Sequence, residues 1–470
     1  MLGPLAAPQA IHGRGGITLP APPEAAKIPV TDDYFGTKAV DDYRWLEDAT
    51  SPETKAFIDR ENVYTARHME QARIRQQVAG DLDALEHVSS WKAPMQRGND
   101  LFFEKLLAGE EQASIYVRHG WAEKDKRLID PAQFSRDPNT SVHLADASRD
   151  GSLAAYRIRE GGADETTVRV LNVKTGKTLP DELPRAICDS VNFTPDGTGL
   201  FYTRATDRGS LLYAHALGTR NSQDKLLFGN EFRGEVLGPR YGGFNLARLP
   251  KWNPAWGWWM EQGGWFAAPN LRGGGEYGEH WHEQGMLDKK QNVFDDWFAA
   301  ADYLIVNKYT SPEHFAIRGR SNGGLLMGAS IAQRPELFSA VRCGYPLLDM
   351  LRYQKFERGA YWTTEYGSAE DAKQFSYLFK YSPYPNLKPG TKYPAVLLWT
   401  GSSDTRVDPL HARKMTALLQ ADSKSGRPVL LHYSLAGGHS SGVSMEQKIQ
   451  DDTDELTFLW TETGQLPAHK

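Results

Sequence analysis

Cysteine is nearly absent. The 470 residues hold two, Cys188 and Cys343, each in apolar surroundings that suit a small core filler, which leaves neither a disulfide framework nor a thiolate metal cluster. No apolar run approaches the roughly 18 residues that span a bilayer, so a soluble protein is expected. Neither sign of charge dominates: 54 basic and 59 acidic side chains leave a net charge of -5, no footprint for nucleic acid or an anionic membrane. Metal motifs are missing too. Glu276, Glu279, His280, His282 and Glu283 crowd one stretch without forming H-E-x-x-H, and no P-loop Lys-Ser/Thr follows Arg272-Gly273-Gly274-Gly275. Both stretches therefore read as structural, and no metal or cofactor is expected. The first 27 residues lack a basic start and an apolar h-region, so they read as a flexible tail rather than an export signal. The compartment stays open, cytoplasmic before periplasmic or secreted, and the oligomeric state is not indicated.

The chain is too long for one ordinary domain, and its texture changes along its length. After the tail (1–27), a segment over 28–87 has helix-like spacing in Trp45-Leu46, Phe57-Ile58, Leu82 and Leu85. From 88 to 232, short β-prone runs such as Leu101-Phe102-Phe103, Thr167 to Leu171 and Gly199 to Tyr202 alternate with turns such as Thr194-Pro195-Asp196-Gly197. That is the rhythm of propeller blades. At about 40 to 45 residues per blade the region holds about three, which do not close a ring. Over 233–470 strands alternate with helices, as in an α/β fold with a mainly parallel sheet. Strands are expected at 340–343, 393–399 and 428–433, and helices at 293–306 and 447–460. Five tryptophans between Trp252 and Trp265 read as packing rather than a carbohydrate platform.

Gly319-Arg320-Ser321-Asn322-Gly323-Gly324 lies between an apolar run and a helix-like stretch, the sequence form of a nucleophile elbow. Glycines two before and two after Ser321 fit a turn too crowded for side chains, and the Asn322 amide would face the oxyanion at the head of a helix. In α/β-hydrolase order an acid and then a histidine follow the serine. His411 falls in an amphipathic helix, His432 inside a strand and His469 in the terminal tail. His439, in Gly437-Gly438-His439-Ser440 just past a strand, remains. Asp404 follows another strand through Gly401-Ser402-Ser403 and is the candidate acid, while Asp408, before Pro409, reads better as an N-cap.

With those residues in view the chain resembles the prolyl oligopeptidase family of serine peptidases. The resemblance rests on Asp42-Tyr43-Arg44-Trp45-Leu46-Glu47-Asp48, Tyr241-Gly242-Gly243-Phe244-Asn245, Asn270 to Gly278, the elbow, Trp362 to Gly367, Asp404-Thr405-Arg406-Val407 and the histidine loop. It implies an α/β-hydrolase domain with a β-propeller inserted after an N-terminal helical segment, here an incomplete propeller. It also implies a triad of Ser321, Asp404 and His439, with the Tyr241 hydroxyl joining the Asn322 amide in the oxyanion hole. Trp362 would stack on a substrate proline, Phe244, Tyr366 and Val407 would line neighbouring pockets, and Arg406 would hold a peptide carbonyl. The family's propeller has seven blades and its sheet begins with strands ahead of the Tyr-Gly-Gly-Phe segment. Here only Gly229 to Arg240 separate Phe228 from Tyr241, so blades and strands are missing and exposed strand edges are expected. The loop also reads Gly-His-Ser-Ser where the family more usually has Gly-His-Gly-Ala. Three functions remain open: a peptidase cleaving after proline in peptides, an esterase-like hydrolase using the same triad, and a silent, internally shortened product.

Overall fold

The computed structural model describes residues 10–188, 190–206, 209–228, 243–247, 253–435, 437–439 and 443–464. Four parallel strands, Ala316–Arg320, Ala340–Gly344, Ala395–Gly401 and Val429–Ser434, lie side by side in chain order. Gly319 stands opposite Cys343, Cys343 opposite Leu398, and Leu398 opposite Leu431. Ala395–Gly401 is buried throughout, the near-continuous apolar character of a parallel strand covered on both faces. All four strands deliver their following loops to one edge of the sheet, so the loops carrying Ser321, Asp404 and His439 emerge together.

Helices cover the sheet. The helix expected at 293–306 spans Gln291–Val306, and the one expected at 447–460 spans Met445–Glu462, started by a Ser444 side chain that accepts from the Gln447 amide. The helix Pro52–Gln71 begins with Ser51 accepting from the Thr54 amide, and it buries Phe57, Ile58, Glu61, Tyr64, Thr65, His68 and Met69 at i, i+3/i+4 spacing. That face lies along the outer strand Val429–Ser434. Asn62 accepts from the Tyr433 amide at 2.9 Å and donates to its carbonyl at 3.0 Å, while the Thr65 hydroxyl donates to the Leu431 carbonyl at 2.8 Å. Side chains thus satisfy an edge that would otherwise be free to pair with another chain.

The expected tail is not one from residue 10 onward. Ile11–His12 pairs with Thr18–Leu19, and Ile17 and Leu19 are buried against Trp399 and Phe458. The segment read as helical also opens with a hairpin, Val30–Tyr34 and Thr37–Asp41, through a two-residue turn with positive φ at Phe35 (54°) and Gly36 (86°). Its end is locked to the C-terminal half by charge. Lys414, fully buried in the helix Leu410–Asp422, lies 2.7 Å from Asp41, 2.9 Å from Glu47 and 2.7 Å from Asp349. Burial opposes the ammonium, the three carboxylates outweigh that, and its pKa is raised. These carboxylates are close enough together to hold a cation, and Lys414 fills that role.

Three antiparallel sheets follow the helix Arg75–Glu86. Ser90–Trp91, Met95–Arg97, Asp100–Leu106, Ser114–His119 and Lys126–Ile129 form the first; Ser141–Ala147, Leu153–Arg159, Thr166–Asn172 and Lys177–Ala186 the second; Val191–Phe193, Gly199–Thr206, Gly209–Ala216 and Lys225–Phe228 the third. Apolar residues of neighbouring blades pack together, as Val168, Val170 and Leu183 do with Phe193, Leu200 and Tyr202. Asp146 of the second blade spans all three: one oxygen takes the Arg97 guanidinium at 2.7 Å, the other the Phe193 amide at 2.8 Å. The passage from Gly229 to Arg240 lies outside the described residues.

The tryptophan-rich run divides. Asn253 caps the helix Pro254–Glu261, and within it Trp258 is fully buried, edge-on to Trp460 at 5.3 Å, with its indole N–H donating to Asp81. Trp265 lies 76% exposed.

Glu61, on the buried face of the helix Pro52–Gln71, accepts from Gln420 with one oxygen, and among the described residues the other has no hydrogen-bond partner. Burial pushes its carboxyl from 4.5 up to about 8. The folded chain therefore holds a proton that the unfolded chain releases, and stability falls as pH rises from about 5 through about 8. Glu61→Gln should flatten that slope, gaining on the parent protein across this window. Urea midpoints measured at several pH values check it.

Candidate active site

The strand Ala316–Arg320 turns into the helix Asn322–Gln333 at Ser321, whose backbone sits at φ 61°, ψ −121°. For a residue with a side chain this is a strained conformation. The turn has no room for substituents: a Cβ on Gly319 would stand 2.1 Å from the Gly323 carbonyl oxygen. The Ser321 amide donates to the Gly344 carbonyl of the neighbouring strand at 2.9 Å, and its hydroxyl is not spent on capping its own helix. Asn322 heads that helix, where backbone N–H groups have no intrahelical acceptor.

Asp404, its side chain buried, divides its oxygens. One accepts from the amides of Arg406 and Val407, both at 2.9 Å, and the other faces His439 Nδ1 at 2.8 Å. With the carboxylate accepting, the proton sits on Nδ1 and Nε2 is left as a base. His439 is tied back to the elbow by neighbours of Ser321. The Arg320 guanidinium donates to the His439 carbonyl and lies over the Tyr345 ring at 4.1 Å, and Tyr345 meets the imidazole edge-on at 5.5 Å. Among the described residues no hydrogen bond joins the Ser321 hydroxyl to the imidazole; such contacts are often long before substrate binds.

The rejected candidates have other work. Asp408 accepts from the Leu410 amide at 2.8 Å at the head of its helix. His411 accepts from the Asp349 amide, and His432 stacks on Trp399 at 3.5 Å; burial pushes each imidazole down to about 3. Cys343 is buried beside the elbow, its thiol pushed up to about 12.

Around the elbow, Tyr366 is fully buried and donates to Asn322 Oδ1 at 2.7 Å, and Phe244 meets its ring edge-on at 5.5 Å. Trp362 is half-buried against the main core. Val407 is buried, its amide serving Asp404, and Arg406 lies 3.9 Å from Asp164. Tyr241, expected in the oxyanion hole, lies outside the described residues.

Sequence reasoning missed Asp164. It sits in the turn between the strands Leu153–Arg159 and Thr166–Asn172 of the second blade, its side chain fully buried. Its carboxylate accepts from the His439 amide at 3.3 Å and the Thr405 hydroxyl at 3.5 Å. A Cβ on Gly438 would come within 2.6 Å of the Gly162 carbonyl oxygen, so the turn presses against the histidine loop. The signal present was a turn with two left-handed glycines, Gly161 (58°) and Gly162 (70°); nothing in it named a partner 275 residues away.

Two family descriptions match the chain: "Prolyl oligopeptidase, N-terminal beta-propeller domain" over residues 22–238 and "Prolyl oligopeptidase family" over residues 251–465. The chain belongs to the prolyl oligopeptidase family. Within that family it is 27% identical over 674 residues to a prolyl endopeptidase of Elizabethkingia meningoseptica, covering 94% of this chain and 95% of the relative. An alignment of 674 positions is longer than the 470 residues here can fill, so upward of 200 positions of the relative face a gap. A prolyl oligopeptidase of Omphalotus olearius is 46% identical over 233 residues, 49% of this chain and 31% of the relative. In fold, the chain matches one of two structurally analysed prolyl endopeptidases with a TM-score of 0.89 at 24% identity, covering 94% of this chain and all of that one. Oligopeptidase B from Leishmania major matches with a TM-score of 0.82 at 17% identity, covering 94% and 98%. The prolyl oligopeptidase fold, a β-propeller domain followed by an α/β-hydrolase domain, is thus the fold of this chain.

Because Asp164 reaches both loops from the propeller, Asp164→Ala should cut kcat/KM for an activated ester by about 10- to 100-fold, the scale of a small misplacement of catalytic groups. The substitution leaves the sheet and its helices in place, so far-ultraviolet circular dichroism should be unchanged.

Proposed function

We propose that this protein is a serine endopeptidase that hydrolyses peptide bonds on the carboxyl side of proline in oligopeptides. The observation that carries the reading is the Asp404–His439 hydrogen bond beside a strained, uncapped serine at the carboxyl edge of the parallel sheet. Family membership and the prolyl endopeptidases among its relatives support it.

In this mechanism Ser321 Oγ attacks the carbonyl carbon of proline while His439 Nε2 takes the hydroxyl proton. Asp404 holds the tautomer and stabilises the imidazolium. The developing oxyanion is met by the Asn322 amide at the positive end of its helix and by the Tyr241 hydroxyl. The carbon–nitrogen bond breaks, His439 returns its proton to the departing amine, and an acyl ester on Ser321 remains. Water, deprotonated by the same imidazole, then releases the acid and regenerates the serine. We assign Phe244, Trp362 and Tyr366 as the aromatic lining for a ring that carries no N–H to satisfy, with Val407 beside them and Arg406 on a peptide carbonyl, an assignment supported by the edge-on contact of Phe244 with Tyr366.

One observation favours a second activity. With upward of 200 positions of the relative unmatched and three blades described, the propeller positions peptides less closely over the site, and the same triad acts on small acyl esters as well. A chromogenic Gly-Pro amide and a short-chain aryl ester should both turn over, and Ser321→Ala should abolish both. Ester turnover without amide turnover would overturn the peptidase reading in favour of an esterase.

A further inference from the structure

The acidic and histidine-rich stretch around residue 280 contributes to a chain of hydrogen bonds. Glu365 Oε1 accepts from the Phe244 amide at 3.1 Å and from Lys290 Nζ at 3.2 Å. Glu365 Oε2 meets His282 Nε2 at 2.8 Å, and His282 Nδ1 meets Glu279 Oε1 at 2.9 Å. Glu279 Oε2 then accepts from the Asn245 side-chain amide at 2.6 Å. The chain starts and ends on consecutive residues, and both of these, Phe244 (56°) and Asn245 (59°), hold positive φ without being glycine. Such residues persist where their surroundings over-determine them. Gly243 is enclosed from the same side: a Cβ there would stand 2.9 Å from each of Asn322 Nδ2, Glu365 Oε1 and Lys290 Nζ. Lys290, almost completely buried, also lies over the Tyr366 ring at 5.0 Å.

A carboxylate and an ammonium placed out of water are costly, and replacing such pairs by apolar residues is often neutral or stabilising. What this pair does locally is fix one short turn against the head of the helix that follows Ser321. We infer that Glu365, braced by Lys290 and His282, is a positioning residue that sets the Gly243–Asn245 turn and the Phe244 ring, and through them selectivity for proline. The inference rests on the reading of Phe244 and Tyr366 as walls of the proline slot.

The test compares kcat/KM for a Gly-Pro amide and the matched Gly-Ala amide. Phe244→Ala should lower the proline-to-alanine ratio by about 10-fold or more, the scale of a lost apolar contact in a specificity pocket. Glu365→Gln should lower it comparably, and should lower it no further in the Phe244→Ala background, as for residues acting through one another. Glu365→Gln leaves Lys290 buried without its carboxylate, so His282→Leu, which keeps the Lys290–Glu365 pair, serves if that variant does not fold. His282→Gln, which restores a donor, should recover part of the ratio. An unchanged ratio in the folded Glu365 and His282 variants, equal losses for both amides, or effects that multiply with Phe244→Ala would each overturn the inference. An unchanged ratio in Phe244→Ala itself would overturn the pocket reading and the inference with it.

Discussion

The two oxygens of Asp404 face in different directions, and the proposed site depends on that division. One is held by the amides of Arg406 and Val407, which anchors the carboxylate to its own loop; the other is left for the imidazole. The parallel sheet explains why the partners meet. Strands in sequential order, all running the same way, bring three loops separated in the chain to one edge. Arg320 and Tyr345, at the ends of two of those strands, then tie the histidine loop to the residue before Ser321.

Polar side chains tie the described blades to one another and to the hydrolase domain. Asp146 bonds across three blades, and Asp164 reaches from the second blade to both catalytic loops. On the hydrolase side, Asn62 and Thr65 take the backbone groups of the outer strand. Each is a polar side chain placed where a strand or loop would otherwise present unpaired groups to solvent or to another molecule.

Much of this was legible in the residues. The strands Ala395–Gly401 and Val429–Ser434 announced themselves as apolar runs, and the order serine, acid, histidine with strand-end loops singled out Ser321, Asp404 and His439. Periodicity also located Gln291–Val306 and Met445–Glu462 to within a few residues. It failed where tertiary partners decide. Residues 10–27 carry no strong pattern, yet Ile17 and Leu19 complete a core built by distant segments. Leu410–Asp422 reads as amphipathic, whereas its Arg413 and Lys414 are buried because carbonyls of Leu46 and Glu47 and three carboxylates from elsewhere receive them. Asp164 and Glu365 were invisible for the same reason: a buried acid is identified by what faces it, and in both cases those groups lie in other parts of the chain.

The central claim is that Ser321 is an activated nucleophile through His439 and Asp404. Intact-mass analysis after treatment with a fluorophosphonate measures this directly. One adduct per chain is predicted, mapping to the peptide that contains Ser321, with labelling slowed at least about 100-fold in Asp404→Asn. Folded protein that takes no adduct, or that labels equally fast without the Asp404 carboxylate, would contradict the account.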